Sequence, residues 1–144
     1  MSWLWSLPLL LITVLIHVSG LLVLRDEVIG LLKRFGGRRP PSVVVGFVIG
    51  TTVLFITLLH AIEAALWGLL YLGVGALPNV RVSMLYSLSA MTTYGHANVY
   101  LADYWQMLGA IEALNGVVLF GLTTAALFSI IEQTYRMDRR RGGD

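Results

Sequence analysis

The chain has 144 residues, 57% of them hydrophobic and 12% charged, with a formal net charge of +2 and no cysteine. A soluble domain carries about 25% charged residues, so this composition reads as an integral membrane protein, without disulfides or thiolate metal sites. The basic residues end apolar runs instead of clustering among aromatics, a topology signal that argues against a nucleic-acid partner.

Residues 1–24 form the first expected transmembrane helix, with its apolar run from Trp3 to Leu24. A span takes about 20 apolar residues. The segment lacks a positive n-region and its apolar run continues past "HVSG", so a retained helix is expected over a removed signal peptide. His17 stands alone on it and reads as a packing histidine. Residues 25–42 form a basic linker carrying Arg25, Lys33, Arg34, Arg38 and Arg39. Its "RDEVIGLLKRF" fits either a short helix on the inner leaflet, basic side chains toward anionic headgroups, or a solvated turn closed by Gly36 and Gly37.

Residues 43–131 follow as one unit. Pro40, Pro41 and Ser42 open an outer helix over 43–75, longer than one span needs and so tilted or standing partly in the cytoplasm. Gly46 and Gly50 give it a small-xxx-small packing face. Over 81–91, "RVSMLYSLSAM" has apolar residues at Val82, Leu85, Tyr86, Leu88 and Met91, a helical spacing too short to span. In Thr92–Asn98, "TTYGHAN", glycine, alanine and asparagine break that pattern. A third apolar helix covers 104–131, and residues 132–144 form a basic tail with Arg136, Arg139, Arg140 and Arg141.

Of the ten basic residues, all but Arg81 fall in the linker and the tail. The positive-inside rule then places the N-terminus outside and the C-terminus in the cytoplasm, in a multi-pass protein of the cell (inner) membrane. A short amphipathic helix, an extended strip and a long helix together describe a re-entrant loop. Irregular backbone at that depth needs protein or water to satisfy it. An extended strip whose carbonyls meet those of other subunits on one axis replaces the hydration shell of a cation.

The region Tyr86–Gln133 resembles the pore-helix, filter and inner-helix unit of two-transmembrane potassium channels. It is most similar to small bacterial ion channel proteins with an extra N-terminal helix. The family filter, Thr-Thr-Val/Leu-Gly-Tyr-Gly-Asp, aligns without a gap on Thr92-Thr93-Tyr94-Gly95-His96-Ala97-Asn98. "YWQMLGAIEALNGVVLFGLTTAALF" resembles the inner helix and "LLHAIEAALWGLLY" the outer helix. The resemblance implies an all-α integral membrane homotetramer with three transmembrane helices per subunit, plus a re-entrant pore helix and filter loop. It implies that Thr93, Tyr94, Gly95 and His96 offer oxygens to a permeant monovalent cation, most naturally K+, with no other cofactor. Only Thr92, Thr93 and Gly95 match the filter pattern. Ala97 replaces a glycine whose backbone region costs an L-residue about 1 kcal/mol or more. His96 replaces a tyrosine and charges near neutral pH. Asn98 removes a ring of carboxylates at the outer mouth.

His60, Glu63, Glu112 and Asn115 lie inside apolar helices, where polar groups are costly and face protein or water. They are expected to form one network pinning the outer to the inner helix behind the filter. The resembling family has acidic residues at the Glu63 and Glu112 positions. Gly116 and Gly121 are candidates for the bending point that the resemblance implies, or for packing. Thr123 and Thr124 either line the inner cavity or bond back to helix carbonyls. No nucleophile triad, phosphate-cradling loop or paired carboxylates in a soluble cleft is present, so no enzyme is expected. The expected function is passive monovalent cation conduction. The alternatives are a non-conducting channel-like scaffold or partner subunit, and a proton-coupled carrier using His60, Glu63 and Glu112.

Overall fold

The computed structural model describes residues 2–34, 42–95 and 99–139. A 3-10 turn over Ser2–Trp5 leads into α1 (Ser6–Arg34), followed by α2 (Ser42–Gly73) and the short α3 (Val80–Met91). A second 3-10 turn, Asp103–Trp105, opens α4 (Gln106–Arg139). The described residues contain no strand. Three helical stretches are long and apolar enough to cross a membrane: Ser6–Leu31, Val43–Gly73 and Asp103–Glu132. At about 1.5 Å per residue each exceeds a ~30 Å hydrocarbon layer, which a tilted helix accommodates.

The basic linker is not as expected. Its first half, Arg25–Arg34, is the unbroken continuation of α1, neither a separate leaflet helix nor a turn. Leu21, Leu24 and Val28 are buried and Leu31 packs beside them, at helical spacing, against Val44, Val48 and Ile56 of α2 and Leu122, Ala126 and Ile130 of α4. Arg25, Asp26 and Glu27 occupy the exposed side of the same turns. The apolar stripe is therefore spent on helix partners rather than lipid, and that packing carries the helix through the charged residues.

At the other end, Trp67, Tyr71 and Leu108 are fully buried and pack with Leu77 and Leu101. The Tyr71 and Tyr86 rings meet edge to face at 5.1 Å. Between the two clusters, Ala64, Met91 and Leu119 close the middle of the bundle, with Val14 of α1 against them.

Helix α3 is inserted between α2 and α4. Asn79 caps its start, its side-chain oxygen accepting from the Val82 amide at 3.0 Å, as a residue of this type in extended backbone does. Ser83, Ser87 and Met91 are its buried positions at four-residue spacing. Small side chains there let α3 approach its neighbours closely. The α3 backbone comes close at Gly116, where a Cβ would collide with the Met91 carbonyl. Gly116 is ten residues into α4 from Gln106, about 15 Å along the axis.

Candidate functional site

The carboxyl end of α3 closes on itself. The Thr93 amide donates to the Ala90 carbonyl at 3.0 Å, and the Tyr94 amide donates to the Ser89 carbonyl at 3.0 Å. Thr93 between them has φ +55. This pattern of reversed bonds around one left-handed residue is a Schellman cap, a position that favours glycine. The Gly95 amide turns back toward the same Ser89 carbonyl at 3.4 Å, with φ +67. Thr92–Gly95 is thus a tight turn, not the extended strip expected from the sequence. Thr92 Oγ1 donates to the Leu88 carbonyl at 2.7 Å, and the Tyr94 side chain is 79% exposed. His96, Ala97 and Asn98 lie outside the described residues.

The intramembrane polar residues do not form one network. They separate into three sets, two joining three helices each and one joining a pair.

The first set is centred on Glu63 of α2. His17 Nδ1 lies 2.9 Å from Glu63 Oε1, and His60 Nδ1 lies 3.3 Å from Glu63 Oε2. Thr123 Oγ1 of α4 lies 3.0 Å from His17 Nε2 and 3.2 Å from His60 Nε2. The His60 ring also stacks on Phe120 at 4.4 Å. Glu63 and His17 are fully buried. Glu63 is ten residues from the Gly73 end of its span, about 15 Å in, so this set lies deep in the apolar layer. His17, expected as a packing histidine alone on its helix, ties α1 to both other spanning helices. Thr123 faces this set rather than its own helix carbonyls, whereas Thr124 Oγ1 donates to the Phe120 carbonyl at 2.9 Å.

The second set holds Glu112. Tyr71 Oη donates to Glu112 Oε2 at 2.5 Å. Ser87 Oγ lies 2.5 Å from Glu112 Oε1 and 2.6 Å from the Ala64 carbonyl. One serine hydroxyl has one proton, so both Ser87 contacts are hydrogen bonds only when the carboxyl donates one of them. Glu112 therefore locks α3 to both α2 and α4, rather than pinning α2 to α4 alone. In the third set, Asn115 Nδ2 donates to Thr13 Oγ1 at 2.9 Å, which joins α4 to α1.

The two candidate hinge glycines differ. α4 runs unbroken through Gly116 and Gly121. Gly116 is the seat of the Met91 carbonyl, while nothing lies within 4 Å of a Cβ at Gly121.

Comparison with family models, curated proteins and solved structures finds no match to this chain. The functional reading therefore rests on the residues themselves.

Reading the sequence residue by residue misses Thr13, His17, Tyr71, Ser87 and Thr123 as partners. A signal for two of them is present in α1. Ser6, Thr13 and His17 fall at i, i+7 and i+11, on the same face as Leu21, Leu24 and Val28, and all are buried. Polar residues that continue an apolar packing stripe are facing partners, not lipid. Ser87 and Tyr71 carry no comparable local signal.

Proposed function

We propose that this chain is the subunit of a passive cation pore in the cell membrane, in which four copies bring the α3 carboxyl ends and the Thr92–Gly95 turn around one axis. The permeant species is a monovalent cation, with K+ first, and the N-terminus lies outside and the C-terminus in the cytoplasm. Arg25 and Arg34, exposed at the end of α1, then face anionic headgroups on the inner side.

One observation carries this reading. The Met91 carbonyl sits on Gly116, about 15 Å along α4, so the helix end and the turn beyond it lie within the span of α4 rather than beyond its end. Exposed backbone at that depth is compatible with a membrane only beside water or another protein chain. The negative end of the α3 dipole favours a cation at that point. Thr92, Thr93, Tyr94 and Gly95 are all exposed in the single chain, as residues facing an axis of symmetry would be.

A second reading, a channel-like scaffold that does not conduct, is favoured by the Schellman closure. Its bonds draw the Thr93, Tyr94 and Gly95 amides back onto α3 instead of extending the strip. Reconstitution separates the two. The purified protein is sized in detergent and then tested in liposomes for K+ and Na+ flux under an imposed gradient. A tetramer with cation flux supports the pore. A tetramer that passes no cation at any pH supports the scaffold, and a stable monomer contradicts both.

A further inference from the structure

His17, His60 and Glu63 bring a ligand atom each to within 4.8 Å of the others, and their hydrogen bonding leaves a specific gap. With Glu63 ionised and both imidazoles neutral, His17 Nδ1–H donates to Glu63 Oε1. The Thr123 hydroxyl donates to His17 Nε2, and His60 Nε2–H donates to Thr123 Oγ1. That assignment makes every hydrogen bond of the set. It leaves the His60 Nδ1 lone pair facing a lone pair of Glu63 Oε2 at 3.3 Å. Both atoms are buried and without a hydrogen-bond partner. In that assignment two acceptors face each other with no proton between them.

We propose that His17, His60 and Glu63 form an intramembrane site for one divalent transition-metal ion of the zinc class, with Thr123 orienting both imidazoles. The separation fits. Two vertices of a tetrahedron with metal–ligand bonds of ~2.0 Å lie about 3.3 Å apart, the distance between His60 Nδ1 and Glu63 Oε2. The ion takes those two atoms and His17 Nδ1, which also faces the carboxylate. The His17 proton moves from Nδ1 to Nε2, the Thr123 hydroxyl proton gives up its bond to His17, and both Nε2–H groups then donate to Thr123 Oγ1, which has two lone pairs for them. No proton is lost in this exchange. A single hydroxyl thereby fixes the tautomer of both ligands, the usual work of a group behind a metal-bound histidine. Two imidazoles and one carboxylate suit zinc-class ions better than Mg2+ or Ca2+, which prefer all-oxygen ligands. The fourth position lies at the His60 edge, where His60 is 13% exposed while Glu63 and His17 are closed. The bound ion joins α1 to α2 directly and to α4 through Thr123. The site stands whether or not the chain conducts.

The test uses the full chain in detergent, stripped of metal, then titrated with Co2+ and back-titrated with Zn2+. The expected result is one Co2+ per chain, with the strong visible absorption of a four-coordinate site that Zn2+ displaces. Zn2+ raises the thermal midpoint of the wild type but not of His60→Gln. His60→Gln and Glu63→Gln lose the cobalt band. Thr123→Val weakens binding about 10- to 100-fold. His96→Gln leaves the band unchanged. Absence of stoichiometric cobalt from the wild type overturns the proposal, as does a band that survives His60→Gln or disappears in His96→Gln.

Discussion

The main-chain carbonyl of Met91 rests on Gly116, so closely that the α-hydrogen of glycine is the largest group that fits. This contact sets how deep α3 lies against α4. Gly116→Ala is therefore expected to push α3 outward. Overpacking of this kind costs about 1–3 kcal/mol, and in liposomes the displacement should lower flux as well. Gly121→Ala meets open space and gains helix propensity, up to about 1 kcal/mol. Thermal unfolding followed by tryptophan fluorescence should lower the midpoint for the first variant and keep or raise it for the second. Equal effects would contradict the packing account.

Glu112 makes hydrogen bonds of both Ser87 contacts only as a neutral acid, donating on one oxygen and accepting from Tyr71 on the other. Glu112→Gln keeps a donor for Ser87 and an acceptor for Tyr71 and should retain near-native stability. Glu112→Ala strands the Tyr71 hydroxyl in a fully buried position, a loss of about 1–3 kcal/mol. Comparing the two midpoints checks this. A Gln variant as unstable as the Ala variant would show that the carboxylate charge is required.

Thr93 is a β-branched residue at φ +55, a region such residues rarely enter. Thr93→Gly should relieve that strain and stabilise the helix end by about 1 kcal/mol. If the strain serves conduction, as strain at functional positions often does, the same variant alters flux. Differential scanning of both proteins gives the first result and liposome flux the second. A destabilised Thr93→Gly would mean that the Thr93 side chain holds the turn.

Asn115 is a weaker link. Thr13 Oγ1 also reaches its own helix carbonyls at Leu9 and Leu10, at 3.0 and 2.9 Å, so it keeps a partner when Asn115 is removed. Asn115→Ala should cost only about 0.6 kcal/mol, typical of a hydrogen bond between membrane helices. His17→Ala, which removes contacts to both Glu63 and Thr123, should cost several times more by the same thermal measurement.

Much of the architecture was legible in the sequence because it is local. Uninterrupted apolar runs gave three spanning stretches. The spacing of Val82 to Met91 gave a short fourth helix, which begins at Val80, one residue before the expected start. The continuation of α1 was hidden by Arg25, Asp26 and Glu27, whose charges resemble the end of a span but occupy the outer side of a packed helix. The partners of His17 lie 46 and 106 residues away, beyond any local pattern. Glu63 and Glu112 looked like one network because both are acidic and intramembrane. They separate because Glu63 faces α1 and the Thr123 side of α4, whereas Glu112 faces α3. The turn at Thr93 escaped notice because Schellman caps are signalled by glycine, and here a threonine takes that place.

The central claim is that the Thr92–Gly95 turn faces a cation path. The chain has no cysteine, so Tyr94→Cys gives a single reactive thiol at an exposed position of that turn. The decisive measurement is K+ flux from liposomes containing this variant, before and after a membrane-impermeant thiol reagent. The account predicts flux that the reagent blocks and that reduction of the adduct restores. Flux that continues unchanged through a fully labelled protein would contradict it.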